Sequence, residues 1–136
     1  MNEVQFGVRF YWGKTVGQIS MSDEDTLGVL HDLIQKTLGW DSDHLYEFIM
    51  DGTPRNKHKV YSCKADLDYA AEPIFSGFAE ETKIISLGLA QGQRFFYHFD
   101  YGEDWFFEIR VVKIRQIFED VIPKILKRNG KMPAQY

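Results

Sequence analysis

A single cysteine, Cys63, leaves no partner for an internal disulfide and cannot furnish a four-cysteine zinc site. As a nucleophile it would need an adjacent base, and the nearest histidine along the chain, His58, stands five residues away in a loop-like stretch. A lone thiol suits a reducing, cytoplasmic setting. No apolar run approaches the ~20 residues needed to cross a bilayer, and the polar start MNEVQ does not have the pattern of a signal peptide, so a soluble chain with no membrane role is expected. Also missing are a Ser-His-Asp signature, a phosphate-cradling glycine loop and a dinucleotide fingerprint; Gly88 and Gly92 stand alone. No repeat, linker or low-complexity tract interrupts the chain.

What remains suits one domain spanning residues 1–136. Hydrophobic residues make up 44% of the chain and aromatics 15%, including eleven phenylalanines, which argues for a packed interior. The net charge of −4 is uneven. Residues 1–112 carry ten basic and eighteen acidic side chains, whereas 113–136 carry six and two. An acidic body is a poor nucleic-acid surface, yet Lys124, Lys127, Arg128 and Lys131 at the basic end could touch phosphate or form a solvated end.

The most informative stretch, residues 95–112, reads FFYHFDYGEDWFFEIRVV. Two aromatic-rich runs flank an acidic turn, and Gly102 can supply the positive φ of a tight connection, so the spacing predicts a β-hairpin. Phe95, Tyr97, Phe99 and Tyr101 share one face of the first strand; Trp105, Phe107, Ile109 and Val111 share one face of the second. Residues 4–12 alternate as a strand, Gly13-Lys14 turns it, and 15–21 form its partner. Ser22 with Asp25 reads as a capping signal for a helix over 22–39, whose apolar stripe is Leu27, Leu30, Ile34 and Leu38. Gly39 stands where a left-handed cap belongs, and Trp40 can fold back onto Ile34. Residues 44–50 read as a strand, 51–54 as a turn and 57–63 as a further strand. Residues 64–92 are loop-like, with Pro73 inside them and a short helix or strand over 82–89; Pro123 and Pro133 exclude one long terminal helix. The expected fold is α+β: a largely antiparallel sheet with one main amphipathic helix on a face, opening strand, strand, helix, strand.

Three blocks, LHDLIQKTLGW, HLYEF and FDYGEDW, resemble the plasmid pRiA ORF-three-like family. The residues that carry the resemblance are Leu30-His31, Gly39-Trp40, His44-Leu45 with Phe48, and Asp100, Gly102 and Trp105, with Glu103 in place of the usual aspartate. Phe107 stands where relatives often have histidine, and residues 133–136 replace their acidic proline-rich ending. The resemblance implies an α+β fold, a setting beside plasmids and insertion elements, and no settled activity.

His31 lies about 40° around the helix from Leu27, inside the apolar stripe, and so faces the sheet. It is either a ligand or proton-transfer group meeting the acidic turn of Asp100, Glu103 and Asp104, or a packed histidine bonded to a backbone carbonyl or a carboxylate. His31, His44, His98, Asp100, Glu103 and Asp104 include the residue types that bind zinc, manganese or iron. No H-x-x-x-H or H-E-x-x-H spacing supports such a site, and no metal or other cofactor is expected. His98 and Asp100, two residues apart, share a strand face, and the turn carboxylates can also cap amides or pair with Arg94 or Arg110. Trp12, Trp40 and Trp105 are core-edge residues or, if uncovered, stacking platforms.

Without a complete catalytic constellation, the reading is a binding or interaction module associated with plasmid or mobile-element biology. Its partner is expected to be a protein or peptide, with nucleic acid contacting Lys127 and Arg128 as another candidate; His44, His98, Glu103 and Trp105 are its other candidate contacts. The alternative is a metal-dependent hydrolase or nuclease-like enzyme that uses His31, Asp100 and Asp104.

Overall fold

In a computed structural model residues 1–11, 13–66 and 74–129 are described, and these form one eight-stranded sheet with a single α-helix on one face. The readings of Trp12, Pro73, Lys131 and Pro133 lie outside the described residues. Strand β1 (Asn2–Phe10) pairs antiparallel with β2 (Thr15–Ser22), placing Phe6 opposite Ile19. Helix α1 (Leu27–Leu38) follows, and then β3 (Tyr46–Thr53) and β4 (Asn56–Ser62) form a second hairpin. A short β5 (Phe75–Phe78) lies parallel to β4. Two 3-10 turns follow: Ala79–Glu81, and Ile84–Leu87 inside the stretch 82–89 where a short helix or strand was expected. Strands β6 (Arg94–Phe99), β7 (Trp105–Gln116) and β8 (Lys124–Arg128) complete the sheet, in the order β5-β4-β3-β6-β7-β1-β2-β8. All neighbours except β4 and β5 are antiparallel, and the opening order β1-β2-α1-β3 is the expected one. The class is α+β.

The helix starts later than its capping signal suggested. Thr26 is the N-cap and accepts from the Val29 amide at 3.3 Å. Ser22 is held instead as the last residue of β2, opposite Glu3. Its hydroxyl accepts from the Glu24 amide, and the Asp25 carboxylate accepts from its own amide, so the S-x-x-D signal closes a tight turn before the helix. Pairing across the sheet overrode a local signal. At the other end the prediction holds: Gly39 is left-handed at φ 72°, and the Trp40 amide donates to the Gln35 carbonyl at 3.0 Å. Trp40 is buried beside Phe99, Phe107 and Trp105. Strand β8 also secures this end, because Arg128 Nε donates to the Thr37 carbonyl at 2.9 Å. Gly17 permits that approach: a Cβ there would sit 2.5 Å from the Lys127 carbonyl oxygen and 2.7 Å from the Thr37 methyl.

Leu27, Leu30 and Ile34 are wholly buried, and Leu38 nearly so, against Phe6, Ile19, Phe48, Phe95, Phe99 and Phe107. The β6–β7 register sets Phe95 opposite Ile109, Tyr97 opposite Phe107 and Phe99 opposite Trp105, as the alternation implied. The turn reaches this register differently from the expectation for Gly102. Asp100 (φ 60°) and Asp104 (φ 55°) take the left-handed conformation, and Gly102 does not. The Asp100 carboxylate repays the cost by accepting from the Gly102 and Glu103 amides, while its carbonyl accepts from the Asp104 amide at 2.6 Å.

The opposite face of the sheet is not uniformly solvated. Ile49 and Val60 are fully buried yet stand apart from the helix-side core, and Glu47 and His98 are buried with only 1% and 5% exposure. Because α1 supplies the other face with its cover, Leu30→Ala is expected to cost about 2–5 kcal/mol. Leu30→Asp, which buries an unpaired carboxylate, should leave the chain unfolded at room temperature. Urea denaturation followed by circular dichroism checks both; a Leu30→Asp protein as stable as wild type would remove α1 from the core.

Candidate functional site

Strand alternation divides the candidate residues between two faces. On the helix side, His31 Nδ1 lies 2.6 Å from the Tyr97 hydroxyl, and its ring stacks on Tyr46 at 3.7 Å between centroids. The same hydroxyl accepts from Gln35 Nε2 at 2.9 Å, so its one proton goes to His31 Nδ1, which makes His31 the neutral Nε2–H tautomer. Burial pushes the His31 imidazole down to about 3, and pushes the Tyr97 and Tyr46 phenols above their ordinary range. His31 is thus the packed histidine of the second reading, with a tyrosine hydroxyl where a backbone carbonyl or carboxylate was expected. It meets the hairpin through its strand, at Tyr97 and Phe99.

The turn residues separate by role. Asp100 is 5% exposed and caps the turn amides; its other oxygen lies 3.5 Å from His44 Nε2. Asp100 follows the last residue of β6 and leaves extended geometry, and it is Asp104 that His98 meets. Glu103 is exposed, and Trp105 is half-buried against Trp40 and Phe10. Arg94 pairs with Glu108 rather than with the turn. Phe107, the position where relatives often carry histidine, is wholly buried on the helix side. Lys127 and Arg128 lie on edge strand β8, about as far along the sheet order as the chain allows from the β3–β4 hairpin.

On the face away from the helix, neighbouring strands bring together a group that sequence reasoning only half found. His98 Nε2 is 2.7 Å from Asp104 Oδ1, and Nδ1 is 3.7 Å from Glu47 Oε2. Its ring is sandwiched by Phe106, stacked at 4.1 Å, and Tyr101 at 4.8 Å. Lys57 Nζ reaches Glu47 Oε1 at 2.6 Å. Burial alone would raise the Glu47 carboxyl; the hydrogen bonds and charges of His98 and Lys57 outweigh it and hold the group below its usual range. The cluster opens into a cleft of about 500 Å³ lined by Tyr11, Arg55, Lys57, His98, Asp104 and Phe106. Among the described residues no group of three or more His, Cys, Asp or Glu is arranged to hold a metal ion. Glu47, Lys57, Arg55 and Tyr11 were absent from the sequence-derived candidates. One signal was present for Glu47: a carboxylate in the middle of the apolar run HLYEFIM, where an unpartnered charge would be costly.

A family model described as plasmid pRiA4b ORF-3-like protein matches residues 16–135. Among solved structures, a crystal structure of MM3350 from Methanosarcina mazei Go1, a protein of unknown function, superposes with a TM-score of 0.71 at 21% identity. The match covers 94% of this chain and 70% of that one. That similarity establishes a shared fold. No curated protein matches this chain.

The buried His31 makes stability depend on pH. Its folded-state value of about 3 lies below the ordinary 6.5, so as pH falls the unfolded chain takes up this proton first. The contribution is whole above pH 6.5 and is lost as pH drops toward 3, at up to about 1.4 kcal/mol per unit. His31→Gln, which can still accept from Tyr97, should flatten the fall in unfolding free energy between about pH 6 and pH 5 by roughly that slope. An unchanged slope in urea titrations at the two pH values would contradict a neutral buried ring.

Proposed function

We propose that this chain, which belongs to the plasmid pRiA4b ORF-3-like family, is a binding module whose ligand site is the cleft around His98. The observation that carries this reading is a buried histidine at the wall of an open cavity with exposed Arg55 at the rim and the aromatic faces of Tyr11 and Phe106 beside it. Volumes of about 300–1,000 Å³ with a few convergent polar groups in an apolar frame are typical of ligand sites. A protein or peptide segment is the partner we assign to it, in a cytoplasmic setting consistent with the buried free thiol of Cys63. Plasmid or mobile-element biology is the proposed role, and the family's description, which names a plasmid, supports the first of these. Among the described residues no helix is long and apolar enough to cross a membrane.

The His98–Asp104 hydrogen bond favours a second reading, general acid–base chemistry in the same cleft. It needs His98 in the role first given to His31, since His31 is occupied by Tyr97 on the helix side. Turnover of a hydrolysable substrate that is lost in His98→Gln with the fold intact would establish it.

Fragment screening by amide NMR tests the binding reading. Ligands should shift the resonances of Tyr11, Arg55, Lys57 and Phe106, and Arg55→Glu should weaken anionic ligands about tenfold at unchanged melting temperature. Ligands that map to the helix face instead would refute it.

Nucleic acid has a smaller foothold. Of the basic residues on β8, Arg128 is bonded to Thr37, while Lys124 and Lys127 are exposed. Two phosphate contacts imply a fall in DNA affinity of about tenfold between 50 and 200 mM salt, from an already weak starting value. Fluorescence titration with short duplex and single-stranded DNA reads this directly; submicromolar affinity that resists salt would make DNA the principal ligand.

A further inference from the structure

The cleft holds a carboxylate already, and that carboxylate is poorly anchored. His98 is fixed: its side chain is 7% exposed, Phe106 and Tyr101 flank its ring, and Nδ1 faces the buried Glu47. Only Nε2 is directed toward the opening, where it meets Asp104 at 2.7 Å. Asp104 is the opposite case. Its side chain is 60% exposed, it sits in a surface turn in the left-handed conformation, and among the described residues its carboxylate bonds to His98. Only the Asp104 side of this contact is exposed, and an incoming carboxylate offers Nε2 the same kind of acceptor, so exchanging one carboxylate for another on the same nitrogen remakes the bond that it breaks.

We infer that this is a self-occupied oxyanion site, in which Asp104 fills the position on His98 Nε2 that the carboxylate of an incoming ligand takes when it binds. The inference rests on the cleft being a ligand site, and it names the chemistry of that ligand: a carboxylate joined to a planar or aromatic body. The carboxylate replaces Asp104, the exposed Arg55 at the rim supplies positive charge, and Tyr11 and Phe106 supply the apolar walls. With Asp104 swung into solvent, the cleft presents Arg55 and Lys57 against Glu47, a balance that favours an anion. The carboxylate can come from an acidic side chain of a partner protein or from a free small organic acid. A purely structural Asp104, there to close the hairpin turn, would show no competition with ligand.

Benzoate, its neutral counterpart benzamide, and the peptide N-acetyl-Phe-Glu-Phe-amide beside its Gln analogue are suitable probes. They are titrated into wild type and Asp104→Asn, with calorimetry for affinity and His98 ring signals for location. Asp104→Asn keeps the side-chain shape and removes the competing charge, so benzoate should bind about tenfold more tightly to it than to wild type. Benzamide should gain nothing. If the Glu peptide follows benzoate, the ligand source is a protein partner; if benzoate alone binds, it is a small acid. Equal or weaker benzoate binding by a folded Asp104→Asn overturns the self-occupied site. In that event, benzoate and benzamide bound alike at His98 would leave the cleft as a ligand site, whereas binding elsewhere, or none to either protein, would remove both readings.

Discussion

A fully buried tyrosine hydroxyl must find partners, and the way Tyr97 does so organises this molecule. Its oxygen is met by His31 at 2.6 Å and by Gln35 at 2.9 Å, two residues one helical turn apart on α1. Leaving such a group unmet in a core costs about 1–3 kcal/mol, so the pairing selects one placement of the helix over the β6–β7 hairpin. Because side chains alternate along β6, assigning Tyr97 to the helix assigns His98 to the opposite face. The core on one side and the cleft on the other follow from a single register. A slip by one residue would bury His98 against Leu30 and expose Tyr97 and Phe99, which the hydrophobic surface of β6 does not allow.

Features set by near neighbours in the chain were legible in the sequence. The stripe Leu27, Leu30, Ile34 and Leu38 described α1, and the alternation over 95–99 and 105–111 gave the buried face of each hairpin strand, whereas Tyr101, expected on the same face, leaves it in the turn to pack against His98. Gly39 ended the helix as a left-handed cap should. Local signals failed where a distant strand, or a better-placed side chain nearby, competed for the same groups. Ser22 looked like a helix cap but belongs to β2, because its pairing with Glu3 across the sheet holds it extended. Gly102 looked like the residue with positive φ, yet aspartates at 100 and 104 take that conformation, since the Asp100 side chain can bond the amides it exposes. The basic end looked like a solvated tail and is an edge strand, a placement that depends on β2 and the Thr37 carbonyl.

The candidate site was legible as a set of residue types and illegible as a geometry. His98 and Asp104 were both among the candidates, but their partner Glu47 lies fifty-one residues before His98, on β3, and only the sheet order brings these strands side by side. His31 drew attention because it sits on an apolar stripe, and that same placement commits it to Tyr97. Two histidines of one chain thus have opposite surroundings: one shut in an aromatic core and held neutral, the other backed by a buried carboxylate at the wall of a cleft.

The most direct measurement is a long-range 1H–15N spectrum of the histidine rings at neutral pH, with and without benzoate. His31 should appear as the Nε2–H tautomer, its Nδ1 unprotonated and unmoved by ligand, while the His98 ring signals shift. A His31 ring protonated at Nδ1, or one that responds to benzoate, would contradict the assignment of the two histidines to separate faces.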